Sequence, residues 1–169
     1  MLVVIDPAIE NYELLADNVL PGAETILLSE REDAIAQITA AIHHPLNEKS
    51  QSYDSIHLVV PNSPGILHFS SGDFSLKTLK PYVNKLQSWF SREFSTAVSP
   101  TLEPKLLLYG RRIGAGQSGT ELMDTLSWLT GAKVIAAKNG DRWPGIDGER
   151  AELAFNDAIQ QRYQGTFSV

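Results

Sequence analysis

Cysteine is absent from this 169-residue chain. That absence removes disulfides, thiolate zinc sites, iron–sulfur ligation and every cysteine nucleophile. Long apolar runs are also missing: the longest span only a few residues, whereas a bilayer-crossing helix needs about 20. Basic charge is in short supply. Fourteen Lys and Arg face 20 Asp and Glu, for a net charge of −6. General nucleic-acid binders usually carry the opposite sign, because phosphate neutralisation supplies most of their affinity. Nucleic acid and a membrane span are therefore not expected. Met1 runs straight into Leu2-Val3-Val4-Ile5 and Asp6-Pro7, with no basic segment and no long apolar core. A secretory leader would have both. The expectation is a cytoplasmic protein, or an extracellular one if the chain is a piece of a larger secreted protein.

What is present is globular composition: 43% apolar and 20% charged residues, 12 Gly and 9 Pro. A chain of this length can bury about 70% of its unfolded surface without staples. One α/β domain over residues 1–169 is expected, with a less regular segment from about 139 to 169.

Short β-branched and leucine runs alternate with longer amphipathic stretches. Strands are expected at 2–6, 25–28, 55–60, 106–109 and 133–137, with a small hairpin of 66–69 and 74–75 around a connection at 70–73. Helices are expected at 12–19, after a capping box of Ser29 and Glu32, over the stripe Leu79 to Phe90, and over Leu122, Met123, Leu126 and Leu129. The tail suggests a strand near 152–155 and a helix near 157–163. This alternation implies a three-layer α/β/α domain with a mostly parallel sheet. Right-handed crossovers put every strand's carboxyl end on one rim, where such sheets bind ligands. The rim loops are then Asp6-Pro7, Ser29-Glu30, 61–65, 110–119 and 138–141.

Several motifs fall on that rim. Gly114, Gly116 and Gly119 fit the G-x-G-x-x-G spacing between a strand and a helix, with Asp141 as the acidic partner. The motif sits on the fourth strand, however, and a tight turn that needs glycine dihedrals is the preferred reading. Residues 116–120 fall one short of a serine-hydrolase elbow, since Thr120 replaces the last glycine, and all four histidines precede Ser118. Ser118 is instead expected to cap a helix. His43, His44, His57 and His68 read as surface or sheet residues and not as metal ligands. Asp141, Asp147, Gly148 and Glu149 do not fit a calcium loop. No metal or cofactor is expected. Arg111 and Arg112 end a buried strand. They would suit a carboxylate or phosphate, or else form salt bridges with Asp6, Glu30 or Asp141.

The strand ends carry a resemblance. Val4-Ile5-Asp6, Tyr12-Glu13-Leu14-Leu15, Pro21-Gly22-Ala23-Glu24, Ile56-His57-Leu58-Val59 with Ser63-Pro64-Gly65, Leu107-Leu108-Tyr109-Gly110, Leu129-Thr130-Gly131-Ala132 and Tyr163-Gln164-Gly165-Thr166 appear in order. Together they resemble a bacterial, mainly cyanobacterial, domain family of unknown function. It is typically found at the N-terminus of large calcium-binding secreted or surface proteins. That family in turn resembles the caspase- and gingipain-like cysteine peptidase fold; a flavodoxin-like fold is the alternative. The resemblance implies a His-Gly pair where this chain has Pro61-Asn62, and a Gly-Cys pair where it has Gly110-Arg111. Proline cannot titrate and arginine stays protonated, so neither can serve as base or nucleophile.

The resemblance therefore implies a catalytically inactive, peptidase-like domain that binds a protein or an acidic peptide, with a small anion as a further possibility. Candidate binding residues are Arg111, Arg112, Gly110, Gly114, Gly116, Ser118, Asn62, Ser63 and Asp6. Trp143 and Tyr163 are candidate partner contacts, or else ordinary tail packing. Two other readings stand beside this one: a nucleotide- or phosphate-binding protein built on the turn at Gly114 to Gly119, and a structural assembly module.

Overall fold

Apolar residues at every position of a strand require cover on both faces, and the central strands of this protein have it. A computed structural model describes residues 1–44, 53–90, 103–137, 142–146, 149–150, 152–165 and 167. Its main sheet holds five parallel strands: β1 (Leu2–Ile5), β2 (Glu24–Leu27), β3 (Ser55–Val59), β7 (Lys105–Tyr109) and β8 (Lys133–Ala136). Their spatial order is β2-β1-β3-β7-β8. This is the doubly wound order in which the chain reverses direction between β1 and β3 and leaves a crevice at their carboxyl ends.

Side chains alternate between the two faces with period two. Leu2, Val4, Ile56, Leu58, Leu106 and Leu108 enter one core. Helices α2 (Ala34–Ile42), α3 (Val83–Ser88) and α4 (Gly116–Thr130) cover it through Ile35, Ile38, Leu86, Leu122, Leu126 and Leu129, with Trp89 just past α3. Val3, Ile5, Val59, Leu107 and Tyr109 enter the opposite core. Helices α1 (Tyr12–Ala16) and α5 (Asp157–Arg162) and the tail aromatics Phe155, Tyr163 and Phe167 cover that side. The domain is thus a three-layer α/β/α sandwich.

Three short strands form a separate antiparallel sheet: β4 (Asn62–Ser63), β5 (Ile66–Phe69) and β6 (Gly72–Ser75). A further pair, β9 (Gly145–Ile146) and β10 (Glu149–Arg150), is antiparallel.

Several expected boundaries move. The capping box at Ser29 does not form. Asp33 caps α2 instead, accepting from the Ala36 N–H at 2.7 Å, while Ser29 closes a local turn. Asp33 stands directly before Ala34, whereas Ser29 is four residues further back, so it is Asp33 that reaches the free amides. Residues 61–65 do not simply break the chain, because Asn62–Ser63 pairs with Ile66–Leu67. The hairpin connection is the two residues Ser70-Ser71, so Gly72 and Asp73 belong to β6. Helix α4 begins at Gly116, inside the stretch expected to be turn. Near 152–155 there is an isolated bridge, Val19 with Phe155, in place of a strand.

His57 lies on the tail side of the sheet and is fully buried. Its Nδ1 is 2.9 Å from the Tyr109 hydroxyl, and its Nε2 is 3.1 Å from Ser55 Oγ. The same hydroxyl accepts from the Ala154 N–H at 2.9 Å. One oxygen therefore joins two central strands to the tail. Tyr109→Phe leaves two buried polar groups unpaired and is expected to cost about 1–3 kcal/mol in urea unfolding.

Candidate ligand rim

The carboxyl ends of β1, β3 and β7 carry the candidate residues, and the structure uses each differently. Asp6 ends β1 and is 1% exposed. Its carboxylate accepts from the Ala8 N–H (2.9 Å), the Ser70 N–H (2.9 Å) and the Ser70 hydroxyl (2.5 Å). The β5–β6 hairpin is thereby pinned over the crevice between β1 and β3. Asp6 is a structural acceptor and not a partner of the rim arginines.

Asn62 follows β3 and is also 1% exposed. Its side-chain N–H groups donate to the carbonyls of Val60 (3.0 Å) and Tyr109 (2.7 Å). It therefore bridges the ends of β3 and β7. Its backbone N–H donates to the Phe167 carbonyl at 2.9 Å, and its Oδ1 is buried with no hydrogen-bond partner among the described residues. Gly110, with φ +137°, sits against this amide: a Cβ there would lie 1.9 Å from Asn62 Nδ2. The ends of β3 and β7 are thus closed against each other by an asparagine side chain packed on a glycine.

Arg111 and Arg112 are exposed. Neither forms an ion pair or side-chain hydrogen bond among the described residues. The expected bridges to Asp6 and Glu30 are not made, and Asp141 lies outside the described residues, as does all of 138–141. Two exposed guanidinium groups therefore stand past the end of β7 without an ion-pair partner among the described residues.

The glycine turn is tightly packed. A Cβ on Gly119 would lie 2.4 Å from the Gly114 backbone, so that glycine is required by the close approach of helix to turn. Gly114 packs on Met123. Gly116 opens α4, with Ala115 as its N-cap and no side-chain cap. Ser118 is not the cap that its sequence position suggests. It lies inside the first turn, and its hydroxyl donates to the Pro64 carbonyl at 3.3 Å. This contact holds the loop of Ser63-Pro64-Gly65 against the start of α4.

Ser63 lies on the outer side of β4, with its Oγ 2.8 Å from His68 Nε2. His68 Nδ1 is in turn 2.7 Å from Asp73 Oδ1. The sequence pattern singled out Ser63, set His68 aside as a surface or sheet residue, and gave Asp73 no role. His43 is exposed at the end of α2, 3.0 Å from Ser88 Oγ. Among the described residues no group of three or more His, Cys, Asp or Glu could hold a metal ion. Nor is any of their helices long and apolar enough to cross a membrane. The aromatics offered as partner contacts are packed instead: Tyr163 is buried, and Trp143 meets Tyr109, Phe155, Tyr163 and Phe167.

A family described as a domain of unknown function (DUF4347) matches residues 2–167. The chain belongs to DUF4347. No curated protein and no solved structure matched it. In this DUF4347 domain the rim divides in two. Asp6 and Asn62 are spent on internal hydrogen bonds, while Arg111 and Arg112 face outwards.

Proposed function

We propose that this DUF4347 domain is a caspase- or gingipain-like domain that has lost thiol chemistry and works as a binding module for acidic groups. The observation that carries this reading is the pair Arg111 and Arg112, exposed at a strand's carboxyl end and free of ion pairs among the described residues. Exposed guanidinium groups just past a strand's end favour carboxylate or phosphate, which they bind through paired N–H donors. An acidic peptide or protein segment is the preferred ligand. The residues at the two dyad positions, Pro61 and Arg111, support the loss of the dyad, since neither side chain can act as base or nucleophile.

A thermal-shift panel of phosphate, sulfate, nucleotides and acidic peptides tests the reading on wild type and Arg111→Ala. A ligand at about 100 times its Kd stabilises by about 2.7 kcal/mol, a shift of roughly 5–11 °C for this size. The expected result is a shift with acidic peptides that Arg111→Ala abolishes. Saturable binding of nucleotides alone would favour the nucleotide-binding reading. No shift with any ligand would remove the anion site and favour an assembly module.

A further inference from the structure

The outer face of the β4–β5–β6 sheet carries a serine, a histidine and an aspartate in line. Alternation puts them there. Asn62, Leu67, Phe69 and Phe74 turn inwards and are buried, so Ser63, His68 and Asp73 turn the other way. Register completes the alignment. Asp73 lies directly opposite His68, and Ser63 lies opposite Ile66, one diagonal step from His68.

The hydrogen bonds then have a determined sense. An ionised carboxylate only accepts, so His68 Nδ1 carries the hydrogen that points at Asp73 Oδ1 across 2.7 Å. In the neutral ring Nε2 is left with a lone pair. The Ser63 hydroxyl, 2.8 Å away, must donate to it. A hydroxyl donating to an imidazole whose far nitrogen is held by a carboxylate is the geometry of an activated nucleophile, its base and the base's orienting acid. Ser63 and His68 are partly exposed, so the pair is accessible from solvent. The loop carrying Ser63 packs on Ser118 in the first turn of the 15-residue α4, which has no side-chain cap. The positive end of that helix stands beside the loop.

We propose that Ser63 is a nucleophile towards acyl esters, with His68 as its base and Asp73 as the residue that positions His68. The serine oxygen bonds to the ester carbonyl carbon, and its proton passes to His68 Nε2. The carbon–oxygen bond to the alcohol then breaks, and the alcohol leaves with that proton. Water repeats the sequence, releasing the carboxylic acid and free Ser63. This chemistry is separate from the arginine rim and from the closed contact between Asn62 and Gly110.

The test is covalent labelling of the full chain with a fluorophosphonate probe, read by peptide mass spectrometry. An oxygen–phosphorus bond forms, the phosphorus–fluorine bond breaks and fluoride leaves. The expected result is an adduct on Ser63 that is absent in Ser63→Ala. Its rate falls about 100-fold or more in His68→Ala, the usual scale of general-base assistance, and at least about tenfold in Asp73→Asn. Thermal melting of each variant checks folding; Asp73 is an exposed site, so that variant keeps the comparison open should His68→Ala unfold. A chain of bonds that merely ties three strands together gives no adduct on Ser63, or an adduct formed equally fast in the folded variants. Either outcome overturns the proposal.

Discussion

Gly110→Ala is expected to destabilise the domain by about 3 kcal/mol or more, among the largest effects of any single methyl group in this fold. Two causes act together. The residue has φ +137°, a conformation L side chains rarely adopt, and the new Cβ would lie 1.9 Å from Asn62 Nδ2 and 2.6 Å from Cγ and Oδ1. Asn62 has no easy way out, because it is buried and holds the Val60 and Tyr109 carbonyls. A double-mutant cycle separates the two. In an Asn62→Gly background only the backbone penalty remains, so Gly110→Ala should cost about 1–2 kcal/mol less than in wild type. Urea unfolding of the four proteins gives the answer. An equal cost in both backgrounds would mean that the contact between β3 and β7 is not what makes the glycine necessary.

Acidification should weaken the fold through His57. Burial holds this imidazole down at about 3, with a smaller push from the charged N-terminus, against 6.5 in the open chain. The folded state therefore keeps His57 neutral while the unfolded state takes up a proton. Stability from this site is complete above about pH 6.5 and drains away as the pH falls towards 3. Each pH unit inside that window costs about 1.4 kcal/mol. Other ionisable groups add to the pH dependence, so the useful quantity is a difference. His57→Leu should remove close to one proton from the pH dependence of unfolding free energy between pH 6.5 and 4. Identical slopes in the two proteins would show that His57 becomes protonated without unfolding.

The main sheet was legible because its strands are short apolar runs with helices between them. Leu2–Ile5, Ser55–Val59 and Lys105–Tyr109 need cover on both faces, and only a parallel sheet between helices supplies it. The rim followed from that topology, and Arg111 and Arg112 with it. The roles of single rim residues did not follow. Asn62 acts through its distance to Gly110, 48 positions away, which no local pattern encodes. Ser118 read as a cap because serine precedes an apolar stripe, yet the helix starts two residues earlier, where Gly116 takes a positive φ of 66°. The line of Ser63, His68 and Asp73 depended on hairpin register. A four-residue connection leaves Asp73 in a loop; the two-residue connection at Ser70-Ser71 sets it opposite His68. One residue of register decides whether two polar side chains meet.

The cover of the tail-side core comes from segments far apart in sequence, Ile9 to Leu15 and Leu153 to Phe167. Leu20 N–H donates to the Ala154 carbonyl, Tyr163 hydroxyl to the Glu10 carbonyl, and Asn62 N–H to the Phe167 carbonyl. During synthesis at roughly 5–20 residues per second, β1 leaves the ribosome on the order of ten seconds before these partners exist. Val3, Ile5, Val59 and Leu107 cannot be covered by Phe155, Tyr163 or Phe167 until then. Until residues 153–167 are made, that face of β1, β3 and β7 lacks the cover they supply. A chain cut before residue 153 is therefore expected to expose Val3, Ile5, Val59 and Leu107 and to aggregate, which the soluble yield of the truncated protein would check.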